Sequence, residues 1–139
     1  MYAVEWEDAE RLLPLAAATF VSEEDLLEAS DLEQFADLAP LLIQTAGAAG
    51  CTVYCHGECR EFPAPATPLV DPTGAGDIFA AAYLVRLLQT SGDPWESARF
   101  ANTIAAASVA HRGIKAKIQA IQDQLVLNQS GEINSSKPV

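Results

Sequence analysis

Apolar positions along this chain follow two rhythms. Short runs such as LLIQT at 41–45 and CTVYC at 51–55 have the length and β-branched content of buried strands. Longer stretches repeat their apolar residues every three or four positions, which is helical spacing. Residues 5–17 predict a helix interrupted near Pro14, since proline has no N–H to donate. Residues 18–21 (ATFV) predict a short buried strand. Ser22 then opens a helix over SEEDLLEA. Asp31 opens another over DLEQFADLA, with Gln34 three residues on as in a capping box, and Pro40 ends it. After the strand at 41–45, residues 46–50 form a small-residue turn. Residues 51–55 and 59–62 flank His56-Gly57-Glu58 as a hairpin, and 63–68 is a Pro/Ala connector.

The second half is helical. Residues 76–90 are apolar nearly all round (IFAAAYLV), which predicts a helix buried on several sides. Asp93-Pro94 starts the next helix, with Asp as N-cap and Pro at the first helical position. That helix reaches about Ala110, and its alanines allow close approach of a neighbour or a flat ligand. A last helix covers 115–127, followed at 128–139 by a polar tail expected to be disordered. Helices alternating with short strands define an α/β class. No segment repeats another.

Size and charge narrow the function classes. The chain has 139 residues, half of them hydrophobic, enough for one globular core. No apolar run reaches the roughly 18 residues of a membrane helix, so no membrane partner is expected. The start shows no basic segment followed by an apolar one, so no secretory signal is visible. Three cysteines, an odd number, then fit reduced thiols and a cytoplasmic location. Net charge is −11, and the first forty residues hold eleven acids against Arg11 alone. That sign excludes nucleic acid as a partner. The acidic half reads as solvated helix faces, or as a docking surface for a basic partner.

The chemistry concentrates in VDPTGAGDIFAAAYLV at 70–85. A Walker A loop would need Lys after its last Gly, where this chain has Asp77. The dinucleotide fingerprint would need Gly or Ala where Phe79 stands. A third kind of loop remains. Gly74 and Gly76 let backbone N–H groups converge, and the following helix adds its free N–H groups and dipole. The result suits a phosphate. A carboxylate beside that anion hole is repelled unless a substrate hydroxyl lies between, giving its proton to Asp77 and attacking phosphorus. Asp77 can also be read simply as a helix-start residue.

This stretch resembles the signature of the PfkB/ribokinase family of carbohydrate and nucleoside kinases. The likeness extends in order through FVSEEDL at 20–26, TAGAAG at 45–50 and RFANTIAAASVAHRG at 99–113, and is strongest over 15–115. It implies that residues 1–127 are the C-terminal half of a ribokinase-like, three-layer αβα (Rossmann-like) domain. It implies ATP-dependent phosphoryl transfer to a sugar or nucleoside hydroxyl. Asp77 would be the general base, and the N–H groups of Gly74, Ala75 and Gly76 the anion hole. Thr45, Gly47 and Gly50 would form the turn that the nucleotide approaches, with Asn102, Ala105 and Ala106 at the adenine. Asp71 and Thr73 would begin a potassium loop completed by backbone oxygens near Val109 and Gly113. Ser22 and Asp25 stand where the family's N-x-x-E organises Mg²⁺ through water, and equally fit a capping box variant.

Within the resemblance, the N-terminal half carrying the acceptor pocket and the β lid has no counterpart here. A missing N-terminal half or a second copy is the implied partner, and an apolar edge or face is expected to be open. The alternative reading is a truncated, non-catalytic nucleotide-binding or interaction protein derived from such a kinase. Other features read as structure. Cys51, Cys55 and Cys59 lack zinc spacing and are expected as thiols buried in the hairpin. Trp6 and Trp95 are expected to pack. Arg112, Lys115 and Lys117 form a small basic patch, either solvated or near phosphates.

Overall fold

The computed structural model describes residues 8–25 and 28–135. Its centre is a four-stranded sheet in the order β1 (Thr19–Ser22), β2 (Leu41–Thr45), β3 (Cys51–Cys55), β4 (Glu58–Phe62). β1 runs parallel to β2, and the other pairs are antiparallel. The β3–β4 turn is His56-Gly57, both at positive φ (50° and 80°), a two-residue turn whose twist suits a hairpin.

Alternation along the strands feeds two cores. Leu41 and Ile43 join Val53, Phe79, Tyr83, Ala98 and Ala101 on one face. Leu42 and Val21 join Leu13, Phe35 and Ala39 on the other. The first face carries α3 (Ala75–Gln89) and α4 (Pro94–Val109), and the second carries α2 (Ala29–Leu38) and the short turn α1 (Ala9–Leu12). This is the three-layer αβα arrangement. α5 (Ile114–Ser135) follows and packs on α4.

Several boundaries differ from expectation. Pro14 ends α1 in a 3₁₀ turn, Leu13–Leu15, rather than interrupting a longer helix. After Ser22 the described residues form a 3₁₀ turn, Glu23–Asp25, and positions 26–27 of the expected helix lie outside them. α2 begins two residues before Asp31, because Glu28 caps it. Glu28 accepts from the Asp31 amide, and Asp31 accepts from the Glu28 amide at 3.2 Å. Asp93 caps α4 as expected, accepting from Trp95 N at 2.9 Å and Glu96 N at 3.0 Å. α5 continues through the polar segment to Ser135, helped by side-chain bonds one turn apart such as Gln124 to Asn128 at 3.2 Å.

α3 is less buried than its composition predicts. It sinks Phe79 and Tyr83 into the core but leaves Leu84, Val85 and Leu88 exposed. Trp95 packs as expected, stacked on Phe62 with Arg60 over its ring at 4.1 Å, whereas Trp6 lies outside the described residues. Cys51 is buried and its thiol is pushed up to about 11, burial outweighing a hydrogen bond from Asn102. Cys55 is half-buried, but Cys59 is exposed, contrary to expectation, because β4 is an edge strand left open over Glu58–Glu61. No helix among the described residues is long and apolar enough to cross a membrane.

Candidate active site

The parallel pair defines one working end of the sheet. Ser22 lies opposite Thr45 in register, so β1 and β2 finish side by side. Open α/β sheets bind ligands beyond the carboxyl ends of such strands. Cys51 lies opposite Thr45, and Phe62 opposite Cys51. Asn102, in α4, donates to the Phe62 carbonyl at 2.9 Å. The C-terminal half of α4 therefore lies over that same end. There the Val109 carbonyl accepts from the amides of Val70 (2.9 Å) and Asp71 (3.0 Å), which fastens the segment leading into α3. The segment leading into the signature loop is thus tied to the C-terminal end of α4.

The loop itself is shaped by Gly74, which caps α3 in the left-handed region at φ 76°. The Ala75 amide donates back to Pro72 at 3.0 Å. Of the three amides expected in the anion hole, Ala75's is thus engaged in the turn. Those of Gly74, Gly76 and Asp77 donate to no group among the described residues. A Cβ on Gly74 or Gly76 would meet nothing within 4 Å, so the space in front of them is open. Asp77 occupies the first turn of α3, exposed, with no hydrogen bond or ion pair among the described residues.

The other expected residues divide by what they touch. Gly47 has φ 53° and open space, on an exposed 3₁₀ turn (Gly47–Ala49), so a ligand can reach its backbone. Thr45 bonds to the Val21 carbonyl at 3.4 Å. Gly50 is buried against the Phe62–Ala64 backbone and faces no open space. Ala105 and Ala106 are half-buried, Ala105 against the core. Ser22 Oγ accepts from Glu24 N at 3.3 Å, and Asp25 accepts from Ser22 N at 3.1 Å, so this pair closes its own turn. No group of three His, Cys, Asp or Glu able to hold a metal occurs among the described residues.

Asn102 is 5% exposed and its amide is committed to the hairpin. Asn102→Ala is expected to cost about 1–3 kcal/mol of stability, since the buried Phe62 carbonyl loses its donor. Urea unfolding reads this. Unchanged stability with weakened nucleotide binding would return Asn102 to the base.

One residue was not singled out by the sequence. Lys117, read there as part of a basic patch with Arg112 and Lys115, is 4% exposed, while those two are exposed. Its ammonium donates to the carbonyls of Asp71 (2.8 Å) and Thr73 (2.7 Å) and lies 3.3 Å from the Asp71 carboxylate. The Asp71 carboxyl is held well below the usual carboxylate range. The hydroxyl and amide of Thr73 are the main cause, with a smaller pull from Lys117. A buried lysine on an otherwise exposed helix start has no periodicity to betray it.

An open glycine loop and, among the described residues, an unpartnered carboxylate thus stand together at the start of α3 in an αβα fold. The chain belongs to the pfkB family of carbohydrate kinases, whose pattern matches residues 2–121. It is 36% identical to a fructokinase of Klebsiella pneumoniae over 98 residues, covering 59% of this chain and 32% of that one. Among solved structures it resembles aminoimidazole riboside kinase from Salmonella enterica. The TM-score is 0.72 with 26% identity, covering 86% of this chain and 45% of that one. It also resembles fructokinase from Vibrio cholerae in its fructose-, ADP- and calcium-bound form. Here the TM-score is 0.68 with 25% identity, covering 84% and 42%. The chain spans 17–34% of the length of four curated relatives it matches.

Proposed function

We propose that this chain carries the nucleotide side and the catalytic base of an ATP-dependent kinase acting on a sugar or nucleoside hydroxyl. The observation that carries this is Asp77. It is an exposed carboxylate without a partner among the described residues, one residue after a glycine whose amide is open. A carboxylate placed only to start a helix needs neither Gly74 in the left-handed region nor a cleared space before it.

In this reading the amides of Gly74 and Gly76, with the positive end of α3, bind the transferred phosphoryl group. Asp77 accepts the proton of the acceptor hydroxyl as its oxygen attacks phosphorus, and ADP leaves. The nucleotide lies along the 45–50 turn and the α4 alanines. Mg²⁺ is held largely by phosphates and water in such sites, with one or two carboxylates. Asp25, exposed beside Ser22, fits that lesser demand, and the metal would supply neutralisation of phosphate charge. The acceptor pocket is assigned to a partner segment, in keeping with the relatives' greater length.

Calorimetric titration with Mg-ATP tests the nucleotide side directly, and saturable binding is expected. Gly76→Val should weaken it by about tenfold or more, because branched side-chain atoms would fill the open space before the amides. A folded chain that does not bind Mg-ATP would favour the second reading, a kinase-derived interaction protein. The exposed Leu84, Val85 and Leu88 on α3 give that reading its one supporting observation.

A further inference from the structure

The resemblance calls for a potassium ion beside the signature loop, and the residues present do not fit one. Potassium is held by several carbonyl oxygens that replace its hydration shell. The four backbone positions that would supply them here are all engaged. The Asp71 and Thr73 carbonyls accept from Lys117 Nζ at 2.8 and 2.7 Å. The Val109 carbonyl accepts from the amides of Val70 and Asp71, and the Gly113 carbonyl accepts from the Lys117 amide at 3.1 Å.

We propose that the Lys117 ammonium is the resident cation of the phosphate loop, so that the loop is set without a bound monovalent ion. An ammonium has three donors, and this one has three acceptors: two carbonyls and the Asp71 carboxylate at 3.3 Å. It is 4% exposed, a burial that a lysine reaches only when paired. The oxygens it grips come immediately before Gly74, whose conformation opens the anion hole. One side chain from α5 thereby fixes the path of residues 71–73 and adds a positive charge behind the phosphate position. Lys117 is a positioning residue, since it touches the loop and not the substrate.

The phosphate role rests on the proposed function, but the cation role does not, and the two can be separated. The first readout is thermal unfolding of the unaltered chain in potassium, sodium or choline chloride at equal ionic strength. Equal midpoints are expected, and a rise specific to potassium overturns the proposal. The second is Lys117→Ala, which empties the cradle while leaving its oxygens. Its midpoint should fall, then recover in potassium or ammonium but not in choline. A folded variant that responds to neither ion overturns the proposal. Where Lys117→Ala does not fold, the unaltered chain's response to potassium alone decides. Mg-ATP titration adds the functional arm. The unaltered chain should bind equally in all three salts, and Lys117→Met should bind about tenfold or more weakly. Failure of the unaltered chain to bind Mg-ATP in any salt would count against the kinase reading, while the unfolding data would still judge Lys117.

Discussion

In the proposed kinase, replacing Asp77 with asparagine is expected to slow phosphoryl transfer by about 10²–10⁴-fold, while Mg-ATP binds equally well or slightly better. The rate falls because an amide cannot take the proton that the attacking hydroxyl must lose. Affinity holds because one negative charge near the phosphates is gone. The variant should fold, since the Asp77 side chain makes no hydrogen bond or ion pair among the described residues. A carboxylate in a first helical turn contributes only about 0.3–1 kcal/mol through the dipole. Three measurements separate the roles: ADP release with sugar and nucleoside acceptors once the acceptor-binding partner segment is supplied, Mg-ATP calorimetry, and thermal unfolding. A variant that keeps its full transfer rate removes Asp77 from the chemistry. A variant that loses only stability reduces it to a helix-start residue.

The parts of this fold that were legible in the sequence are those written locally. β2 and β3 appear where their apolar runs stand, and Asp93-Pro94 starts α4 because cap and first-turn chemistry are adjacent in the chain. The signature loop was legible for the same reason: its glycines, acid and helix are consecutive. Where local signals compete, the sequence misleads. Glu28 is an uncommon N-cap and Asp31 a common one, yet the reciprocal bond between them places Asp31 inside the helix. Where partners are remote, nothing local signals them. Lys117 meets Asp71 and Thr73 across 46 and 44 residues, and Asn102 meets Phe62 across 40. A lysine on a polar helix and an asparagine on an alanine helix both look ordinary until the tertiary fold supplies their acceptors. The exposed apolar face of α3 has the same origin, since composition states that a surface is apolar and not whether anything covers it.

Gly50→Ala is expected to be the most destabilising single-methyl change in the chain, costing more than about 3 kcal/mol and so a large part of a typical domain's stability. Gly50 has φ 105° and ψ −133°, a region essentially closed to residues with a Cβ, which alone costs about 1–3 kcal/mol. The added methyl would also overlap the Phe62 carbonyl and lie 2.6 Å from Ala64 N. Those are backbone atoms of the chain leaving β4, and Phe62 is buried in the core, so neither side yields cheaply. Gly47, three residues earlier, is the internal control. Its φ of 53° is left-handed, but a Cβ there meets nothing within 4 Å. Gly47→Ala should cost only the conformational term, about 1–2 kcal/mol. Urea unfolding of the two variants tests the contrast, and equal losses would refute the close approach at Gly50. The pair also divides the turn's labour. If the nucleotide passes over its exposed side, a bulky residue at Gly47 should weaken Mg-ATP binding in a chain that remains folded. Gly50→Ala should affect binding only as far as it unfolds the chain. Gly50 holds the turn against β4, and that contact leaves Gly47 facing outward where a ligand can reach it.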